Sequence, residues 1–305
     1  MPRFVPRNLK SWLAVPIALV LIVATGGCAL FDTGLFTAMW QDFSINDHGS
    51  TVVPGEKLPV PPTPPNAITL EVMIVERAVG DPLLETRLWD EVEQVGAVAP
   101  EVQGVLTEHG FRVGHCSSKP PRALEKLLGL KSEFADEWEK VQSENLLTRR
   151  IVLPAGANRE IQTSEFYADL SADVPLPAGV RGRAYHNARC VLRIVPRKLQ
   201  DNWIRVEFLP EIHYGEQLWR PMMIDNSWQA RTSQEIEPLY PIKFSVDLNV
   251  GEIAVIGGIA SQPDDSIGKH FFQVRSDDKW RTQRLLVIRF SDMSRAKSTY
   301  AAEAR

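Results

Sequence analysis

Residues 68–76 read ITLEVMIVE, an apolar, β-branched and partly alternating run that predicts a strand. Asp81-Pro82 follows, with Asp as a cap and Pro set for the first helical turn. Leu84, Leu88, Val92 and Val95 then fall four, four and three apart, so they share one helical face. A second helix is predicted over residues 100–109, with Val102, Val105 and Leu106 inward and Gly110 as its stop. Residues 111–116 predict a strand. Residues 121–130 predict a third helix carrying Leu124, Leu127 and Leu128, and residues 132–147 a fourth with Phe134, Trp138 and Val141 on one side. After Leu147 the period changes to two. Ile204, Val206 and Phe208 alternate with Arg205 and Glu207, and Phe244, Val246 and Leu248 alternate with Ser245, Asp247 and Asn249. Leu286, Ile288 and Phe290 close the series. Such alternation predicts antiparallel sheet with one buried face. Asn249-Val250-Gly251-Glu252 predicts a hairpin turn between strands at 243–248 and 253–256. The expected fold class is therefore α+β: a mixed α/β unit over residues 67–147, an antiparallel β domain over 148–292, and a polar tail over 293–305.

The chain start follows a different pattern. Arg3, Arg7 and Lys10 precede a short apolar run from Trp12 to Ala24, interrupted by Pro16, and then Thr25-Gly26-Gly27-Cys28. A membrane-crossing helix needs about 20 apolar residues, so the run reads as a processed signal. Basic, apolar, small, cysteine is the layout of a bacterial lipoprotein signal, with Thr25 where Leu is usual. Residues 1–27 are expected to be removed, leaving lipid on Cys28. Residues 28–66 read as a tether. The prolines from Pro54 to Pro65 favour extended polyproline and make a semi-rigid spacer. The expected location is the bacterial cell envelope, on a membrane and facing the periplasm.

Composition adds bounds. Apolar content of 44% and charged content of 24% are ordinary globular values. The net charge is -4; taking away the three basic residues before Cys28 leaves -7. An acidic chain gives no support to nucleic-acid binding, which wants a basic face. With Cys28 lipidated, Cys116 and Cys190 remain as an even pair. In an oxidising compartment they read either as a disulfide or as two buried free thiols.

Three stretches of the C-terminal half carry a resemblance. Residues 190–196 (CVLRIVP) lead to residues 205–211 (RVEFLPE); residues 244–252 (FSVDLNVGE) lead to 253–259 (IAVIGGI); and residues 285–289 (LLVIR) form a last strand. This half resembles the C-terminal domain of bacterial secretins, the ring-forming outer-membrane channels of type II and III secretion. The resemblance implies paired long strands and a hairpin ending in Gly-Gly. The arrangement also resembles envelope proteins of planctomycete-type bacteria. Departures stand beside it. A Pro-rich tether and one helical unit replace the ring-building modules that precede this domain in secretins. The closing strand lacks the usual proline, and residues 163–188 read as short for long gate hairpins.

Catalytic, cofactor and metal constellations are not found in the sequence. His213-Tyr214-Gly215-Glu216 offers two ligands where zinc needs three or four. His186 and Cys190, four apart on a strand, share a face but lack a third orienting group. Asp264-Asp265 and Asp277-Asp278 lack the alternation of a calcium loop. Trp203, Trp219, Trp228 and Trp280 read as core or as a binding face. The expected function is non-enzymatic, needs no cofactor, and consists of protein–protein assembly or self-association in the envelope or a secretion-related complex. An oligomeric channel subunit and an envelope hydrolase are the alternatives.

Overall fold

The computed structural model describes residues 67–129, 146–224, 227–276 and 279–294, with side chains left out at 220–231 and 276–281. They lie within one compact unit, Pro62–Arg305. Cys28, the signal, the tether and the helix expected at 132–147 fall outside or almost wholly outside the described residues. So does the tail beyond Ser294.

Two antiparallel sheets make the body. The first contains β1 (Ala67–Ala78), β2 (Phe111–Cys116), β3 (Leu146–Pro154), β10 (Ile253–Gly258), β11 (Gln273–Ser276) and β12 (Lys279–Met293), in the order β2-β10-β12-β1-β3 with β11 on β12. The second contains β4 (Arg159–Gln162), β5 (Tyr167–Leu176), β6 (Gly179–Gln200), β7 (Trp203–Ile224), β8 (Ser227–Pro238) and β9 (Phe244–Asn249), built on β4-β6-β7-β8 with β5 on β6 and β9 on β7.

The expected α+β class is overturned: the protein is mostly antiparallel sheet with four short α-helices among the described residues. These are α1 (Leu88–Glu91), α2 (Pro100–Glu108), α3 (Arg122–Leu127) and α4 (Ile267–Phe272). The first predicted helix starts as read, with Asp81 Oδ1 accepting the Leu83 N–H at 2.9 Å, and opens as a π-helical turn, Leu83–Arg87. It stops at Val92, because Glu93 exchanges two backbone hydrogen bonds with His115 (2.8 and 3.1 Å). Val95, expected on its apolar face, is 80% exposed. Nor do residues 67–147 form a unit of their own. β1 pairs with β12 from Ile68↔Met293 to Ala78↔Thr282, and β2 pairs with β10.

β1 is paired along both edges and buried on both faces. One face of the first sheet carries Met73, Val75, Val255, Leu285 and Val287, packed beneath Leu84, Leu88, Trp89, Leu124 and Leu127 from the helical segments. The other carries Leu70, Val72, Ile256, Ile288 and Phe290, all buried. At its β2 end α4 packs there, with Phe271 and Phe272 at 5.3 and 5.6 Å from the Phe111 ring. Gly257 and Gly258 end β10 where these layers close in. A Cβ on Gly257 would lie 3.1 Å from Trp89, and one on Gly258 3.0 Å from the Phe272 Cβ.

The hairpin expected across residues 249–252 is also corrected. β9 joins β7 in the second sheet, and β10 joins β2 and β12 in the first. The turn is a corner between sheets, held by Gly251 N–H to the Phe290 carbonyl (2.7 Å) and Val250 N–H to the Asn202 carbonyl (3.1 Å). In the second sheet, residues 167–188 do form a long hairpin, from Tyr167↔Ala188 to Leu176↔Gly179.

Candidate functional site

The second sheet brings together polar residues from three strands. Register places Glu160 of β4 opposite Arg193 of β6, and Arg189 of β6 opposite His213 of β7. Glu211 and His213, two apart on β7, share a face. Arg193 Nη2 reaches Glu211 Oε1 at 2.9 Å, and His213 Nε2 lies 3.2 Å from Glu211 Oε2. Ligand atoms of Glu160, Glu211 and His213 all fall within 4.8 Å of one another. Glu211 and His213 are 1% and 3% exposed. A carboxylate so buried needs a counter-charge, and Arg193 supplies it. The guanidinium takes one oxygen of the Glu211 carboxylate and the imidazole lies against the other, so this buried carboxylate is held by two partners. Three oxygen and nitrogen donors also match the minimum of an open metal site, but Arg193 competes for the carboxylate at its centre.

Sequence reasoning paired His213 with Glu216. The structure pairs it with Glu211 and Glu160, and Glu216 is exposed beyond Gly215. Gly215, at φ +81°, begins a register shift between Tyr214 and Leu218 that turns the strand. The Glu-x-His spacing was a readable signal for half the cluster. Glu160 and Arg193 were out of reach, since only pairing register brings β4 alongside β6.

His186 and Cys190 are not brought together. Asn187 sits at φ +49° and breaks the alternation between them. His186 is exposed and pairs with Asp169, while Cys190 is fully buried. Cys116 and Cys190 are both free thiols rather than the disulfide left open by the sequence. Their surroundings separate them: Cys116 sits among Leu124, Leu127 and Ile253 in the first sheet's helical layer, and Cys190 beside Ser164 in the second sheet. Burial pushes each thiol up to about 12, which makes both poor nucleophiles. Asp264 pairs with Lys269 Nζ at 2.8 Å.

Past the register shift, residues 218–224 and 227–233 pair only with each other. This two-stranded ribbon has no third strand among the described residues. Leu218 is 50% and Trp219 75% exposed at its base. Its first arm, LWRPMMI, is mostly apolar and its second, SWQARTS, mostly polar, with Arg220 and Arg231 at directly opposed register positions. Among the described residues no helix is long and apolar enough to cross a membrane.

No protein-family model matches the chain, and no curated protein matches it.

Proposed function

We propose that this chain is a non-enzymatic assembly protein of the bacterial cell envelope, anchored through lipid on Cys28 and offering its β body to protein partners or to copies of itself. The β7–β8 ribbon carries the reading. An isolated two-stranded hairpin is marginal in water, and this one has both long edges unpaired among the described residues and an exposed tryptophan at its base. Open edges are templates for a further strand from another chain. Of the secretin resemblance, the strands at residues 190–196 and 205–211 support the same direction, since the ribbon extends from them, while its expected hairpin at 244–259 does not form. A spanning β-strand needs about 9 to 11 residues. The ribbon's paired arms, residues 218–224 and 227–233, are shorter than that.

In-cell crosslinking followed by mass spectrometry tests it. Crosslinks should join the ribbon to a second polypeptide and disappear when Trp219→Ser and Leu218→Ser are combined. Recovery of uncrosslinked monomer alone would overturn the reading.

A further inference from the structure

Strand alternation gives the β7–β8 ribbon two unlike faces. Direct pairing of Trp219 with Thr232, Pro221 with Ala230 and Met223 with Trp228 places these six on one face. That face holds two tryptophans and no charge. Arg220 and Arg231 are opposed on the other, next to the pair Met222 and Gln229. Leu218 and Trp219 stand on opposite faces and are both exposed, so each face leaves the body bare at the ribbon's base. The point of departure is fixed. Buried Gln234 donates its amide to the Gly215 carbonyl at 3.0 Å and to the Asn187 carbonyl at 2.8 Å, beside the register shift.

Size and charge choose what covers the apolar face. An arm from 218 to 224 runs about 23 Å, and two strands are about 10 Å wide, so the face spans roughly 230 Å². Even doubled for side-chain relief, this falls short of the about 800 Å² that a stable complex buries on each partner. A bilayer sets no such minimum. The lipid proposed on Cys28 already holds the body at one, and a second contact then acts at high effective concentration. The two arginines point the same way. Like charges directly opposed across two strands repel. A phosphate shared between them replaces that repulsion with charge-assisted hydrogen bonds. Residues 218–233 set these two cations against one acid, Asp225, on a chain whose net charge is -4.

We propose that the ribbon lies on the surface of an anionic bilayer, with the face of Trp219 and Trp228 at the acyl boundary and Arg220 and Arg231 level with the lipid phosphates. Tryptophan is favoured at that boundary, and arginine reaches from it to the headgroups. An interfacial element sits about 5–10 Å into this zone. A ribbon is one backbone layer thick, so both of its faces fit there. The contact rests on the lipid anchor proposed above and not on strand pairing, which uses the ribbon's edges.

The full-length protein, reconstituted into vesicles of equal phosphatidylcholine and phosphatidylglycerol, tests the proposal. An environment-sensitive fluorophore is attached at Met223→Cys on the apolar face or at Gln229→Cys on the other. Cys116 and Cys190 are buried, and the unsubstituted protein carried through labelling gives the background. Nitroxide-bearing lipid should quench the probe at 223 at least ~3-fold more than the probe at 229. Quenching at 223 should weaken in phosphatidylcholine alone, and combined Arg220→Gln and Arg231→Gln should erase that difference between the two vesicles. Equal quenching at both positions, or none at 223, would overturn the proposal. So would a probe at 223 that is shielded from water but not quenched, since a protein chain would then cover the face. Flotation with the vesicles reads the anchor separately. A chain that floats with an unquenched probe keeps the anchor and loses the ribbon contact; a chain that does not float loses both.

Discussion

Arg284 is the clearest test of how the two sheets are joined. It lies on β12 opposite Glu76 of β1 and is 5% exposed. Its Nε donates to Glu76 Oε1 at 2.7 Å, Nη1 to the Thr163 carbonyl at 2.9 Å, and Nη2 to Glu165 Oε1 at 3.4 Å. Thr163 and Glu165 belong to the link between β4 and β5, so one side chain fastens the first sheet to the second. Arg284→Met keeps an apolar stem and deletes every donor. The buried Thr163 carbonyl then loses a partner, which costs about 1–3 kcal/mol. Breaking a fully buried ion pair costs about 3–5 kcal/mol. The Glu76 and Glu165 side chains are 23% and 40% exposed, and water can take up part of their charge. The whole substitution is therefore expected to cost about 3 kcal/mol. In a domain of this size each kcal/mol moves Tm by about 2–4 °C, giving a drop of about 6–12 °C. Urea unfolding should show a lower midpoint with unchanged slope, because the surface exposed on unfolding is the same. Arg205→Met is the control. Arg205 holds Asp247 through two bonds of 2.7 and 2.8 Å, but at the surface, where such a pair contributes less than about 1 kcal/mol. If Arg284→Met costs no more than Arg205→Met, the clamp argument is wrong.

Burial holds His270 down at about 4 from an ordinary 6.5, with Asp265 and the Ser171 backbone offsetting part of the effect. The unfolded chain takes up this proton as pH falls through 6.5, and the folded chain only near 4. Stability should decline across that window by about 3 kcal/mol and level off below it. Urea midpoints of wild type and His270→Gln between pH 4 and 7.5 measure it, and parallel curves would refute it. Cys116 and Cys190 should resist a thiol reagent in the folded protein and label fully in urea; rapid labelling of either before unfolding, or a bridged peptide under non-reducing conditions, would contradict the buried-thiol assignment. Gly257→Ala forces a Cβ to 3.1 Å from Trp89 and 3.2 Å from Leu285, and should destabilise by about 1–3 kcal/mol. Gly104→Ala, inside α2 with nothing within 4 Å, should stabilise by up to about 1 kcal/mol. Thermal melts that give both changes the same sign would undo this packing argument.

Strand positions were legible where period two was strong. Residues 111–116 were read at their observed bounds, and 204–208, 244–248 and 286–290 all lie inside strands. Alternation tells which face is buried. It does not name the neighbour, and β1 finds β12 more than two hundred residues away. The corner mistaken for a hairpin shows what was still recoverable. β9 (FSVDLN) alternates and buries one face, whereas β10 (IAVIGG) has no polar position and is buried throughout. Hairpin partners share two faces and should show the same alternation. A change from alternating to wholly apolar across a turn therefore signals a change of sheet. The helical reading failed for a related reason. Leu84 and Leu88 do form a buried stripe, but β2 has an edge to satisfy, and the backbone at Glu93 serves it at the expense of another helical turn. At the polar cluster, the Glu211 and His213 spacing was present in the sequence, while the partners that give it meaning come from β4 and β6.

Edges remain as the places where this body can meet other chains. Both faces of β1, β10 and β12 are covered, so the first sheet has little free face to offer. Its β3 edge carries Arg149 and Arg150 and ends in Pro154, devices that discourage a further strand. Its β2 edge is treated differently. It is bridged at His115 by Glu93, and beyond the bridge Phe111 and Val113 are buried, at 0% and 3% exposure, with no further strand paired to them among the described residues. The chain turns at Gly96, at φ +90°, and leads into α2, whose buried Leu106 lines a small cavity together with Phe111 and Val113. The β3 edge is shielded by charge and proline and the β2 edge by burial, which leaves the β7–β8 ribbon of the second sheet as the place where a further chain can pair.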